Sequence, residues 1–116
     1  MRPSPQLLLR NAGVPALLIT DLINVRYLTG LSMTSGGVLG LPRSYILFTD
    51  ARYLEMAEQQ RNDRISVRDV AELERFLKKI SVCGFEQGNV TVGRLSRWKT
   101  RFSNTKFVRT DDPLEA

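Results

Sequence analysis

Two apolar runs, Val38-Leu39-Gly40-Leu41 and Tyr45-Ile46-Leu47-Phe48-Thr49, are separated only by Pro42-Arg43-Ser44. Three residues are too few for the crossover that a parallel pair needs, so the runs predict an antiparallel β-hairpin. Proline suits position i+1 of such a turn because its ring already sets φ. Any sheet this chain builds must therefore contain an antiparallel pair. The remaining segments alternate between strand-like and helix-like patterns, so the same sheet must also accept strands that return by way of helices.

Ahead of the hairpin, Pro5 to Arg10 predicts a short helix, with Gly13 where a helix is commonly stopped. Ala16-Leu17-Leu18-Ile19-Thr20 is a continuous apolar run, as expected of an interior strand. Asp21 then caps a helix in which Leu22, Val25 and Leu28 recur every three residues, and Gly30 ends it. Ser32 to Gly37 is a polar, glycine-bearing loop. After the hairpin, Asp50 caps a helix from Ala51 to Gln60. Ile65-Ser66-Val67-Arg68 alternates with period two and predicts a strand near a sheet edge, with one wet face. Asp69-Val70-Ala71-Glu72 has the capping-box spacing, and the helix it opens places Leu73, Phe76, Leu77 and Ile80 on one face. Val82 to Phe85 predicts another strand. Thr91 to Phe102 repeats the helical spacing through Val92, Leu95, Trp98 and Phe102, and Lys106 to Arg109 predicts a last short strand. With 116 residues, no internal repeat and no linker, the chain reads as a single α/β domain. Its expected core is a mixed, twisted sheet of about six strands with helices on both faces.

Two counts restrict the chemistry. There is no histidine, which removes Ser-His-Asp and Cys-His nucleophile systems and every imidazole-based metal site. The single cysteine, Cys83, allows no internal disulfide, and its neighbours Val82, Gly84 and Phe85 mark it as a buried strand residue rather than a nucleophile. The spacing of Gly30, Gly36 and Gly37 fits neither GxGxxG nor a P-loop, so that loop is a connection. Asp21 and Asp50 each precede a helix, where capping rather than acid–base work is the expected role. No apolar run approaches the ~18 residues of a membrane span. Leu7-Leu8-Leu9 is too short for a signal-peptide core, so a cytoplasmic protein is expected.

The net charge of +5 raises the prior for anionic partners. The excess is local: between Gln87 and Thr110 stand Arg94, Arg97, Lys99, Arg101, Lys106 and Arg109, without one acidic residue. Because Trp98 and Phe102 share an apolar stripe with Val92 and Leu95, the helix is expected to present a solvated basic face. Weak nucleic-acid binding is the alternative.

Four segments, in order, resemble the N-terminal domain of the creatinase, prolidase (Xaa-Pro dipeptidase) and aminopeptidase P family. Asn24-Val25-Arg26-Tyr27-Leu28-Thr29-Gly30 is similar to the family's N-x-R-Y-L-T-G-F segment, and Met33-Thr34-Ser35-Gly36 to the G-S-x-G-like loop that follows. Phe48-Thr49-Asp50-Ala51-Arg52-Tyr53 resembles F-T-D-x-R-Y, and Val82-Cys83-Gly84-Phe85-Glu86 resembles the (I/V)GFE strand. The resemblance spans essentially the whole chain. It departs at Leu31, where phenylalanine is usual, at Met33, where glycine is, and at Ala51, where glycine is frequent.

The resemblance implies a ribonuclease H-like sheet motif and a C-terminal pita-bread catalytic domain that residues 1–116 do not contain. That domain would bind two divalent metal ions (Mn, Co or Zn) through two Asp, one His and two Glu, leaving this chain with no catalytic residue and no metal ligand. Asp111-Asp112-Pro113-Leu114-Glu115-Ala116 falls about where the interdomain linker would begin. The implied role is to shape the substrate cleft and subunit interface of a homodimer, meeting a proline-containing peptide only indirectly. Asn24, Arg26, Tyr27, Arg52 and Tyr53 are the candidate cleft or interface residues by this resemblance. Arg52 is expected to orient the loop through its carbonyls, with Tyr53 packed beneath. Metal-free relatives of the same architecture serve in histone chaperoning and scaffolding, so a peptide- or protein-binding module is the other alternative. Isothermal titration at neutral pH checks the ligand count: Mn²⁺ and Zn²⁺ are expected to show no stoichiometric micromolar binding, and uptake of two metals would contradict it.

Overall fold

The computed structural model describes residues 3–60 and 65–111. Helix α1 (Pro5–Ala12) starts where the Ser4 hydroxyl accepts the Leu7 N–H, and stops at Gly13 with φ 72°. Strand β1 (Leu17–Ile19) leads to α2 (Leu22–Thr29), which is capped by Asp21 and closed by Gly30 at φ 77°. The predicted hairpin is β2 (Gly37–Leu41) and β3 (Ser44–Thr49), joined at Pro42-Arg43. No residue other than glycine among those described has positive φ, so the turn is not of the primed type common in two-residue hairpins. Proline, with its φ fixed near −65°, excludes that type.

Helix α3 (Ala51–Gln60), β4 (Ile65–Asp69), a 3₁₀ turn (Val70–Glu72), α4 (Leu73–Leu77), β5 (Val82–Glu86), α5 (Val92–Arg101) and β6 (Lys106–Thr110) complete the described chain. The strands form one sheet in the order β4-β3-β2-β1-β5-β6. β2 runs antiparallel to β1 and β3, and every other pair is parallel, so five strands point one way and β2 alone points back. This is the mixed sheet of six strands that the sequence predicts. β4 is an edge strand, with Ile65 buried and Ser66 and Arg68 exposed, as its period-two pattern requires.

Successive strand residues feed two separate cores. Leu17, Ile19, Val38, Tyr45, Leu47 and Ile65 pack with Leu8 and Leu9 of α1, Val25 and Leu28 of α2, and Ala57 of α3. Leu18, Leu39, Ile46, Phe48, Cys83, Phe85 and Phe107 face the opposite side, against Leu77, Phe102 and the half-buried Leu73, Phe76, Leu95 and Trp98. Helices therefore cover both faces. Cys83 is fully buried, and that burial pushes its thiol up to about 12, which suits a packing residue and not a nucleophile.

Two sequence expectations need correction. The helix predicted to run through Ile80 is α-helical only from Leu73 to Leu77. The Thr105 hydroxyl donates to the carbonyls of both Leu77 and Ile80, and the Ile80 N–H bonds the Leu77 carbonyl, which tightens the chain into a turn. Ile80 still packs against the core from that turn. In α5 the buried stripe begins at Leu95, whereas Val92, in the first turn, is 87% exposed.

Gly36 sits where a side chain has no room. Its φ is 125°, and a Cβ would lie 2.7 Å from the Phe48 carbonyl oxygen. Gly88 has ordinary φ and nothing within 4 Å of a built Cβ. Gly36→Ala is therefore expected to cost about 2–4 kcal/mol and Gly88→Ala almost nothing. Thermal melts check this: matching melting temperatures for the two variants would contradict the close approach of Gly36 to β3.

Candidate functional site

Because five strands point the same way, their carboxyl ends meet at one edge of the sheet, where the chain passes into helices or loops. A helix N-terminus leaves backbone N–H groups without partners, so this edge needs acceptors. The sequence places a carboxylate at each exit. Asp21 accepts the Ile23 N–H at 3.0 Å, Asp50 the Arg52 N–H at 2.9 Å, and Asp69 the Ala71 N–H at 2.9 Å. Asp111 accepts from the Gln87 amide at 2.7 Å. Capping, as expected for Asp21 and Asp50, is thus also the use of Asp69.

Glu86, at the end of β5, is the deepest of these groups, only 4% exposed. Its Oε1 accepts the N–H groups of Thr20 at 2.7 Å and Asp21 at 2.9 Å, and its Oε2 accepts the Asn24 amide at 2.6 Å. In a capping box the third helical residue would reach back to the N-cap N–H itself. Here Asn24 occupies that position, and β5 supplies the acceptor instead. Glu86 thereby fixes the start of α2 onto the neighbouring strand. The sequence reading gave Glu86 no role beyond its motif. The only local signal was a carboxylate closing an apolar strand.

The loop after α2 is fastened from both sides. Leu31 and Met33, two of the three departures from the family pattern, are buried in the core beneath it. The Thr29 hydroxyl donates to the Val25 carbonyl and accepts the Leu31 N–H. At the loop tip, Ser35 donates to Asp50 at 3.0 Å, and the hydroxyls of Thr34 and Tyr53 lie 2.8 Å apart. Arg52 does not reach loop carbonyls, contrary to expectation. Its guanidinium turns back on Asp50, at 2.9 and 3.3 Å, and lies 5.5 Å from the Tyr53 ring centre. Asp50 and Tyr53 hold the loop, and Arg52 orients Asp50. Hydrogen bonding to Arg52, with help from Ser35, holds the Asp50 carboxyl below the usual carboxylate range. The clasp is therefore complete at neutral pH and released only as pH falls through that lowered value.

Of the five candidate residues, the structure brings Arg52 and Tyr53 together beside the loop and turns Asn24 inward. Arg26 and Tyr27 lie on the outer face of α2, where Tyr27 is 46% and the adjoining Ile23 78% exposed. This face carries exposed apolar surface, Ile23 and Tyr27. The rim carboxylates do not suit a dinuclear metal, since each is turned to N–H donors. Among the described residues no three His, Cys, Asp or Glu side chains converge. No described helix is long and apolar enough to cross a membrane. Residues 112–116, where the linker was expected, lie outside the described residues.

Glu86→Ala removes three charge-assisted hydrogen bonds and is expected to cost about 3 kcal/mol or more in urea unfolding, with Glu86→Gln costing less because it keeps an acceptor. A loss below ~0.5 kcal/mol for both would show that α2 is held by packing alone.

The comparisons with known proteins agree with this geometry. The family described as the Creatinase/Prolidase N-terminal domain matches residues 5–116. The solved N-terminal domain of the cytoplasmic peptidase PepQ from Mycobacterium tuberculosis H37Rv is 33% identical, with a TM-score of 0.80, covering 96% of this chain and 94% of that one. The Xaa-Pro dipeptidase from Bacillus anthracis is 26% identical, with a TM-score of 0.82, and 96% of this chain covers 34% of its length. The X-Pro aminopeptidase from Thermotoga maritima MSB8, at 24% identity and TM-score 0.77, shares the fold, with 90% of this chain on 33% of that one. The chain thus spans about a third of the length of these last two proteins. No curated protein gives a significant match. By fold, motif order and family match, the chain belongs to the Creatinase/Prolidase N-terminal domain family.

Proposed function

We propose that this chain is the non-catalytic N-terminal domain of a cytoplasmic Xaa-Pro metallopeptidase, of dipeptidase or aminopeptidase P type. In this reading α2 and the loop after it form one wall of a substrate cleft at the interface of a homodimer. The observation that carries it is the contrast between the two sides of α2. The inner side is locked to β5 through Asn24 and Glu86, while Ile23, Tyr27 and Arg26 are held outward. A helix fixed so firmly with apolar groups facing out is suited to meet another protein surface. The chemistry would come from a following catalytic domain. Its two divalent ions need an Asp, Asp, His, Glu, Glu set, and this sequence has no histidine to offer.

The wall contributes orientation and water exclusion, and no proton transfer. It would touch the proline-containing peptide at the rim of the cleft, through Arg26 and Tyr27, with Asp50, Arg52 and Tyr53 setting the loop behind them. The reading frame that carries this domain should continue into the metal-binding set. In that complete protein, Ile23→Glu and Arg26→Ala are expected to raise KM for Xaa-Pro peptides several-fold, with metal content unchanged. Wild-type kinetics for both variants, on short and long peptides, would reduce α2 to scaffold.

A further inference from the structure

The second core is not fully roofed. Between α4 and α5 a groove of about 590 Å³ opens over the sheet, its accessible apolar lining being the exposed Val70 and the half-buried Leu73 and Trp98, with Leu18 and Phe48 covered at its base. Its α5 rim carries Arg94, Arg97 and Arg101, spaced i, i+3 and i+7 on one helical stripe. The α4 rim offers one carboxylate, Glu74, which is 3.8 Å from Arg101. Arg94 and Arg97 have no carboxylate partner among the described residues. The groove therefore joins an apolar wall to an excess of positive charge.

We propose that this groove docks a short extended peptide segment of a partner protein, with acidic and apolar residues in alternation. The charge on the rim sets the acidic requirement. Length and periodicity set the conformation. Arg94 to Arg101 spans about 10 Å along the helix axis. Three to four extended residues cover the same length, and their side chains alternate sides. Apolar residues of such a segment face Val70, Leu73 and Trp98 while its carboxylates reach the arginines.

The aromatic ring in the groove argues for a peptide over nucleic acid. Trp98 already carries the Arg94 guanidinium, 5.3 Å from the ring centre, and packs against Phe85 and Phe107, so it has no free face for a base. The groove is on the opposite sheet face from α2, so this docking and the cleft role stand or fall separately.

The chain's single tryptophan lies in the groove wall and reports its occupancy. The probe is a blocked Glu-Leu-Glu-Phe-Glu peptide, followed by Trp98 emission and, in a fluorescein-labelled form, by anisotropy. Saturable binding with Kd of roughly 10–100 μM is expected. It should weaken at least ~10-fold with Arg97→Glu, which breaks no described contact, and with Arg94→Gln. Melting temperatures equal to wild type would confirm that these variants keep the fold. The Gln-Leu-Gln-Phe-Gln peptide should bind at least ~10-fold more weakly. No saturation by ~1 mM, or equal affinity for the glutamine peptide, would overturn the proposal. So would tighter, arginine-dependent binding of a single-stranded oligonucleotide, which would assign the surface to nucleic acid.

Discussion

The Glu86 carboxylate accepts three hydrogen bonds from one short stretch of chain: two backbone N–H groups at the exit of β1 and the Asn24 amide in the first turn of α2. It is buried, and a buried carboxylate is tolerable only when its oxygens are matched by donors. The match is reciprocal, since the Thr20 and Asp21 N–H groups would otherwise lack partners at the start of a helix. One side chain thus joins the end of β5 to the exit of β1, its parallel neighbour, and to the helix that follows. The direction of α2, the path of the loop after it and the outward display of Ile23, Arg26 and Tyr27 all follow from that junction.

The same logic extends along the sheet edge. Asp21, Asp50, Asp69 and Asp111 each stand at a strand exit and each accept a hydrogen bond there. An edge so rich in carboxylates resembles a metal or acid–base site in composition, yet its oxygens are engaged in organising helices and loops. This is a scaffold for positioning, in keeping with membership of the Creatinase/Prolidase N-terminal domain family. The two faces of the sheet are then free to differ. One is closed by α1, α2 and α3, and the other leaves the groove between α4 and α5.

Much of this was legible in the sequence because it is encoded by neighbours. The hairpin, the edge strand β4 and the glycine stops at Gly13 and Gly30 depend on turn chemistry and period-two patterning within a few residues. Two of the failures have a long-range cause, and two a local one. α4 stops short because Thr105, 25 and 28 residues away in sequence, takes the carbonyls of Ile80 and Leu77. Glu86 meets its partners 62 to 66 residues away, which no local pattern announces. Arg52 was assigned to loop carbonyls, whereas Asp50, two residues before it, is the nearer and oppositely charged acceptor. Val92 satisfied the helical period but sits in the first turn, ahead of the point where α5 meets the sheet.

The central claim is that Glu86 sets the position of α2 from outside the helix. Backbone amide hydrogen exchange, resolved by residue, tests it most directly. In the native chain the amides of Thr20, Asp21 and Val25 should be strongly protected. In Glu86→Ala, protection should fall at these amides and along α2, while β3, β4 and α5 keep theirs. Unchanged protection of α2 in that variant, or a uniform loss across all elements, would contradict the account.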